Sequence, residues 1–347
     1  MATAIIPIST HKDGTRTVIT SNQVLERTLK DLSITEADLE EYVRQNVAAL
    51  FPEGEETLLI VGQQVRNIAA GRADLVAIDG QGNIVLIELK RDKDDITTRK
   101  EPFEFQAIRY AANYALIKTQ QDVVQLLFAP YIERHKQEGE FHQQLVNGLT
   151  SSELASRLLA KFLQDNQAQG TLNRYQRIML VASAFDPQTL SACAWLAQNA
   201  IDIRCITIAP IEYNQQQFFK IEQVIPPPAL ADFFVEVAQS TTVGTPIISG
   251  SQPKQALPRM AKLFEWRLIS SGDHLYIRDN ETLYATIVNH THVEYQGQMM
   301  KYNEWGQSVT GWSAINIYEW SVHALSNKTL DILRRENLEE LAQQADT

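Results

Sequence analysis

Cysteine is nearly absent. Cys193 and Cys205 are the two in 347 residues, too few for a disulfide framework. One bridge can be drawn on paper, but two buried thiols in a reducing cytosol are the expectation. No run approaches the roughly 20 apolar residues needed to cross a bilayer. The opening MATAIIPISTHKDG also lacks a basic stretch followed by a long apolar core. The sequence therefore reads as cytoplasmic, with no membrane partner. Positive charge is short as well: 31 Lys and Arg against 42 Asp and Glu leave a net charge of -11. Nonspecific affinity for nucleic acid comes from Lys and Arg neutralising phosphates, so a protein that coats nucleic acid by bulk charge is excluded. Any such contact has to be local, or has to use cations held by site carboxylates.

Other chemistries lack their parts. The seven histidines are scattered; His290 and His292 alternate in an expected strand or turn, and no zinc site is assigned. Ser183 and Ser191 have no nucleophile-elbow glycines around them, and GQGN at 80–83 (DGQGN) is a turn rather than a phosphate loop.

What is present fits a globular α/β chain, at 44% hydrophobic and 21% charged residues. The length exceeds one compact domain, so two are expected. TEADLEEYVRQNVAAL has an N-cap Thr35, early acidic residues and Leu39, Val43, Val47 and Leu50 at helical spacing. TLLIVGQQV, RADLVAI and IVLIELK read as strands, the last two joined by a tight turn. FEFQAIRYAANYALI is a second amphipathic helix, and a polar, helical insertion runs near 117–170. RIMLVASAF, PQTLSACAWLAQNA and IDIRCITIAP give strand, helix, strand, the crossover pattern. The expected layout is an N-terminal segment at 1–28, an α/β domain at 29–235 and a Ser/Thr/Gly/Pro-rich linker at 236–257. A small α+β domain follows at 258–347, with helices beginning near Ser313 and Lys328.

Side chains alternate along a strand, so Glu88 and Lys90 share a face while Leu89 points away. A turn lays Asp74 beside them if the register pairs the strands. The flanks LVAI and IVLI are apolar on both faces, which marks covered, interior strands. Two carboxylates and a lysine there are costly without compensation. Mg²⁺ or Mn²⁺ held by Asp74 and Glu88, with waters and phosphate oxygens completing the shell, supplies it. Such a cation stabilises charge on phosphorus and acidifies a water, which Lys90 would orient or help deprotonate. The alternative is an internal salt bridge, which a lone Glu-x-Lys favours; Asp74 upstream turns the reading to a metal site.

The run TEADLEEYVRQN, GRADLVAIDGQGNIVLIELKRDK and FQAIRYAANYA resembles, in order, the catalytic domain of PD-(D/E)XK nucleases, closest to the NucS-type branch. The likeness covers about Thr35 to Ala115 and extends towards residue 212. It implies a restriction-endonuclease-like mixed sheet flanked by helices. The activity it implies is a Mg²⁺- or Mn²⁺-dependent endonuclease hydrolysing phosphodiester bonds in DNA, in defence, restriction or repair, with a homodimer left open. The rival reading is a catalytically inactive DNA-binding or protein-interaction protein that retains the fold.

By position, the resemblance makes Asp74 the strand aspartate, Glu88 and Lys90 the acidic-x-Lys motif, and the Leu89 carbonyl a further metal ligand. Gln106 and Tyr110 match its glutamine-and-tyrosine helix motif, against a bland reading of Tyr110 in the core and Gln106 capping a backbone group. Glu36 and Glu40 both suit its helix glutamate; Glu36 is favoured without excluding Glu40. Arg72, Arg91, Lys93, Arg99 and Lys100 are offered as phosphate contacts, against a merely solvated loop. Two departures stand out: Ala73 replaces the usual proline, and Gln64 stands where an acidic residue is frequent, which weakens a second metal. The C-terminal part resembles small modules found beside restriction and modification enzymes, with Gly311 and Trp312 before a helix. Trp305, Trp312, Tyr318 and Trp320 are read first as core, with base stacking or partner contact as the alternative; Trp266 is read as core.

Overall fold

Ahead of the first helix come a two-stranded antiparallel ribbon, β1 (Ile8–Asp13) with β2 (Arg16–Ser21), and a short strand β3 (Leu25–Glu26). Thr35 then starts α1 (Glu36–Gln45): its hydroxyl accepts from the Asp38 N–H at 3.1 Å, and the Asp38 carboxylate accepts from the Thr35 N–H at 2.9 Å. That reciprocal cap satisfies donors a helix start leaves open. The computed structural model describes residues 8–13, 16–21, 24–51, 54–66, 71–98, 101–227 and 257–345. Arg99, Lys100 and all but the last residue of the linker expected at 236–257 lie outside the described residues.

Three strands follow: β4 (Leu58–Arg66), β5 (Arg72–Asp79) and β6 (Ile84–Lys90), every residue of β6 being buried. Next come α2 (Lys93–Thr97), α3 (Phe103–Tyr114) and the expected helical insertion. The insertion consists of α4 (Gln120–Val123), a π-helical turn (Val124–Phe128), α5 (Ala129–Arg134), α6 (Gly139–Val146) and α7 (Ser151–Asp165). The crossover is β7 (Gln176–Ala182), α8 (Pro187–Gln198) and β8 (Ile203–Tyr213), completed by β9 (Gln216–Ile225). The strands form one mixed sheet in the order β3-β8-β7-β6-β5-β4, with β9 on β8. β4, β5 and β6 are antiparallel, and β6, β7 and β8 are parallel. The molecule is thus a mixed α/β structure, and Cys193 and Cys205 are buried and unbridged. Among the described residues no helix is long and apolar enough to cross a membrane.

Hairpin β8–β9 departs from the sequence reading, which ended its strand near Pro210. Asn214 and Gln215 make the turn with φ of 50° and 62°. A turn with two left-handed residues usually uses glycine, so the sequence carried a weak hairpin signal.

In the C-terminal part the elements are α9 (Met260–Glu265), β10 (His274–Ile277), β11 (Asn280–Ile287), β12 (His292–Tyr295), β13 (Gln298–Lys301), α10 (Tyr302–Thr310), α11 (Ile317–Trp320), β14 (Ser321–His323), β15 (Lys328–Thr329) and α12 (Leu330–Ala345). The helix expected near Ser313 is the four-residue α11, and α10 was not expected because Gly306 interrupts its sequence. Gly306 has a packing reason: an added Cβ would lie 2.8 Å from the Ile315 side chain. Gly311, left-handed at φ 74°, ends the helix.

This part docks on the edge strand β4. Leu58 exchanges backbone hydrogen bonds with Ala314 at 3.0 Å, and Thr57 Oγ1 accepts from the Asn316 N–H at 3.0 Å. Trp312 packs edge-on against Phe162 of α7 and against Trp320. Trp305, Trp312, Tyr318 and Trp320 are all buried, at 6% exposure or less. The core role favoured for them in the sequence is what the structure shows: they are spent on the module's core and its seam with the sheet.

Below the seam, the buried Arg177 guanidinium bonds Glu56 at 2.9 Å, Asp202 at 3.0 Å and Asp79 at 3.1 Å. Removing one partner of a buried ionic cluster leaves uncompensated charge. Arg177→Met is expected to cost about 3–5 kcal/mol in urea unfolding; a loss under about 1 kcal/mol would show the cluster to be solvated.

Candidate active site around Asp74, Glu88 and Lys90

Strand register assembles the centre. Leu75 pairs with Ile87, so one step further along the antiparallel ladder Asp74 lies opposite Glu88. On the other side, Gln63 pairs with Leu75 and Val65 with Ala73, which brackets Gln64 opposite Asp74. Asp74 Oδ2 accepts the Leu89 N–H at 2.8 Å, and Oδ1 accepts from Gln64 Nε2 at 3.2 Å. Gln64 Nε2 also donates to Glu40 Oε2, so one amide ties the strand aspartate to α1. Gln64 holds a left-handed φ of 49°, a costly conformation for a non-glycine in a strand and one that clusters at functional sites.

Lys90 is buried, yet its ammonium has three oxygen neighbours. It donates to Glu36 Oε1 at 2.9 Å and to the Leu89 carbonyl, and lies 4.0 Å from Asp74 Oδ2. The Phe103 ring of α3 sits 5.5 Å from it. Glu88 is fully buried; its Oε2 accepts from Gln106 Nε2 at 3.2 Å, and the same nitrogen lies 3.3 Å from the Tyr110 hydroxyl. Gln106 Oε1 is buried and has no hydrogen-bond partner among the described residues. The two sequence candidates on α1 divide the work: Glu36 meets Lys90, and Glu40 meets Gln64. The bland alternative for the helix pair is half right, since Tyr110 is buried but Gln106 bonds a carboxylate rather than a backbone group.

Electrostatics follow from that packing. Burial pushes the Asp74 carboxyl above its ordinary range, with the Lys90 charge and the Leu89 N–H opposing. Burial raises Glu40 too, reinforced by the charge of Asp74. Tyr114 is raised by burial first and by Glu88 second. Perturbed carboxyls gathered at one spot mark a candidate functional site.

Three of the five basic candidates, Arg72, Arg91 and Lys93, lie among the described residues. Arg91 is held by Asp95 at 3.1 Å and Asp92 at 3.4 Å. Lys93 is exposed on the first turn of α2, and Arg72 is exposed at the start of β5. Among the described residues that follow β6, Lys93–Thr97 is helical rather than open loop, and the Asp95 carboxylate accepts the Asp92 N–H at 3.3 Å at its start. Gln64 is the residue the sequence undervalued, a mere departure there and a bridge between two acids here.

Among the described residues no three His, Cys, Asp or Glu side chains are grouped closely enough to hold a metal ion. The Lys90 ammonium instead sits among Glu36, the Leu89 carbonyl and Asp74, three of the ligands the sequence reading assigned to a cation. An ammonium in that place shows the donor set is chemically fit for positive charge, and the open Gln106 oxygen is fit to hold a water beside Glu88. No protein-family model matches the chain, and no curated protein matches it.

Proposed function

We propose that the chain is a Mg²⁺- or Mn²⁺-dependent deoxyribonuclease of PD-(D/E)XK type, hydrolysing phosphodiester bonds in DNA. The observation that carries this reading is that buried Asp74, Glu88 and Lys90 share one face of the β5–β6 ladder, with Lys90 4.0 Å from Asp74 and with Gln106 and Tyr110 behind Glu88. The restriction-endonuclease-like fold belongs to the same proposal; the mixed sheet that carries the three residues supports it.

Asp74, Glu88 and the Leu89 carbonyl would hold the cation, with Glu36 or Glu40 assisting. When bound, it supplies Lewis-acid stabilisation of the phosphoryl oxygens and acidifies a ligated water. Lys90 does the rest of the charge work. Its pair with Glu36 is weak because the Glu36 side chain is 43% exposed, so Nζ can give its hydrogen bonds to the attacking water or a phosphate oxygen instead. Gln106 fixes Glu88 through Nε2, and Tyr110 fixes Gln106, which keeps the carboxylate aimed. Phe103 and α3 keep bulk water from the lysine.

The Lys90–Glu36 pair is also what a catalytically silent protein with a structural salt bridge would show, so cleavage decides. Supercoiled, linear, single-stranded and branched DNA are incubated with the protein in Mg²⁺, Mn²⁺ or EDTA. Cleavage is expected with metal and not with EDTA, and Lys90→Ala is expected to lower its rate by about 10²-fold or more. Cleavage by Lys90→Ala at the wild-type rate, or none by the wild type under any metal, would remove the enzyme reading.

A further inference from the structure

A cleft of about 420 Å³ opens beside the carboxylates on the β4 side, between β4, the start of β5 and the helical insertion. Gln63 and Gln64 line its floor; Arg72 stands on one wall, and Leu126, Pro130 and Arg134 stand on the other. Three features set it apart from a surface dent. Its described lining carries two arginines and no carboxylate, in a chain whose net charge is -11. The wall bearing Leu126 is the π-helical turn, a rare form that recurs at functional sites, and it leaves Leu126 59% exposed. The floor is built rather than loose. Gln63 Oε1 meets His135 Nε2 at 2.8 Å, the Arg134 guanidinium donates to the Gln63 carbonyl, and Gln64 runs directly to Asp74 and Glu40.

We propose that this cleft is the substrate channel's phosphate-binding arm: a nucleic-acid strand crosses Gln64, its phosphates are held by Arg72 and Arg134, and its sugars and bases rest on Leu126 and Pro130. The insertion between α3 and β7 is then the second wall of the substrate groove and not a spacer. A cleft whose charged lining is all positive is what a strongly acidic chain needs to bring a polyanion to buried carboxylates. An apolar ledge beside guanidinium groups suits a strand whose backbone is charged and whose bases are not. The proposal rests on the nuclease reading for the identity of its ligand, but its contacts lie outside the residues assigned to the chemistry.

Binding of fluorescently labelled duplex and single-stranded 20-mers is followed by anisotropy in EDTA, between about 50 and 200 mM salt. Arg72→Ala and Arg134→Ala are each expected to weaken binding about tenfold. Their combination is expected to reduce the slope of log Kd against log salt by about 2, one unit per lost phosphate contact. A residue that merely props up the β4 backbone would change stability without changing that slope. Leu126 is exposed, so Leu126→Lys keeps the fold and is expected to steepen the slope by about 1, while Leu126→Glu weakens binding. Lys161→Ala, on α7 and paired with Asp165, is expected to bind as the wild type does. An unchanged slope in the double arginine variant, or wild-type binding by both Leu126 variants, overturns the proposal. The two readings fail separately. A slope lost with Arg72 and Arg134 in a protein that cuts nothing keeps the cleft and drops the enzyme. Cleavage abolished by Asp74→Ala beside an unchanged slope does the reverse.

Discussion

Asp74→Asn is expected to abolish metal-dependent cleavage, by about 10³-fold, while leaving the metal-free protein as stable as the wild type or more so. Asparagine keeps an oxygen for the Leu89 N–H, gives up the long 3.2 Å bond from Gln64, and removes a charge that burial disfavours. Function and stability thus pull in opposite directions at this position, as they do where a site is strained for activity. The sign of the pH dependence follows from the raised carboxyls. Asp74 and Glu40 hold their protons more tightly in the folded chain than in the unfolded one. The stability they contribute is complete below the unfolded carboxyl value of about 4 and is lost as pH rises through their folded values. In EDTA, the thermal midpoint of Asp74→Asn should therefore exceed that of the wild type most at about pH 8 and converge with it near about pH 4. Mn²⁺ should raise the wild-type midpoint at neutral pH and leave the variant unmoved, since a ligand stabilises only the state it binds. A variant destabilised equally at both pH values would mean that Asp74 is a structural hydrogen-bond acceptor and nothing more.

The parts of this centre that were legible in the sequence are those governed by local periodicity. Strand alternation put Glu88 and Lys90 on one face, and helical spacing put Gln106 above Tyr110 and Glu36 beside Glu40. Gln64 was not legible, because its meeting with Asp74 depends on register. The β4–β5 ladder shifts between Ile60 and Gly62, and a slip of one residue sends a side chain to the opposite face. The division of labour between Glu36 and Glu40 depends on where α1 sits along β5 and β6, a tertiary quantity. The C-terminal aromatics were ambiguous for a related reason. Whether Trp312 faces solvent or core is decided by Leu58 pairing with Ala314, a contact between residues more than two hundred positions apart that no local pattern encodes.

Gly71→Ala is expected to be among the most damaging substitutions outside the charged residues, although it adds a single methyl group. Gly71 sits at φ 93°, where an L side chain is strained, and an added Cβ would lie 1.9 Å from the Tyr110 hydroxyl and 3.0 Å from its ring carbon. Backbone strain and overpacking together are expected to cost about 2–4 kcal/mol in urea unfolding. The displaced hydroxyl is the one beside Gln106, which holds Glu88, so the damage passes through two side chains to a carboxylate of the proposed site. Tyr110→Phe removes the colliding oxygen and should therefore be less harmful on the alanine background than on the wild type. In a double-mutant cycle the two changes are expected to couple favourably by about 1–2 kcal/mol. The left-handed backbone penalty, about 1–2 kcal/mol, should remain in the double variant because no change at Tyr110 relieves it. Strict additivity of the two substitutions would mean that the methyl group and the hydroxyl never meet, and that Gly71 is required for its backbone conformation alone.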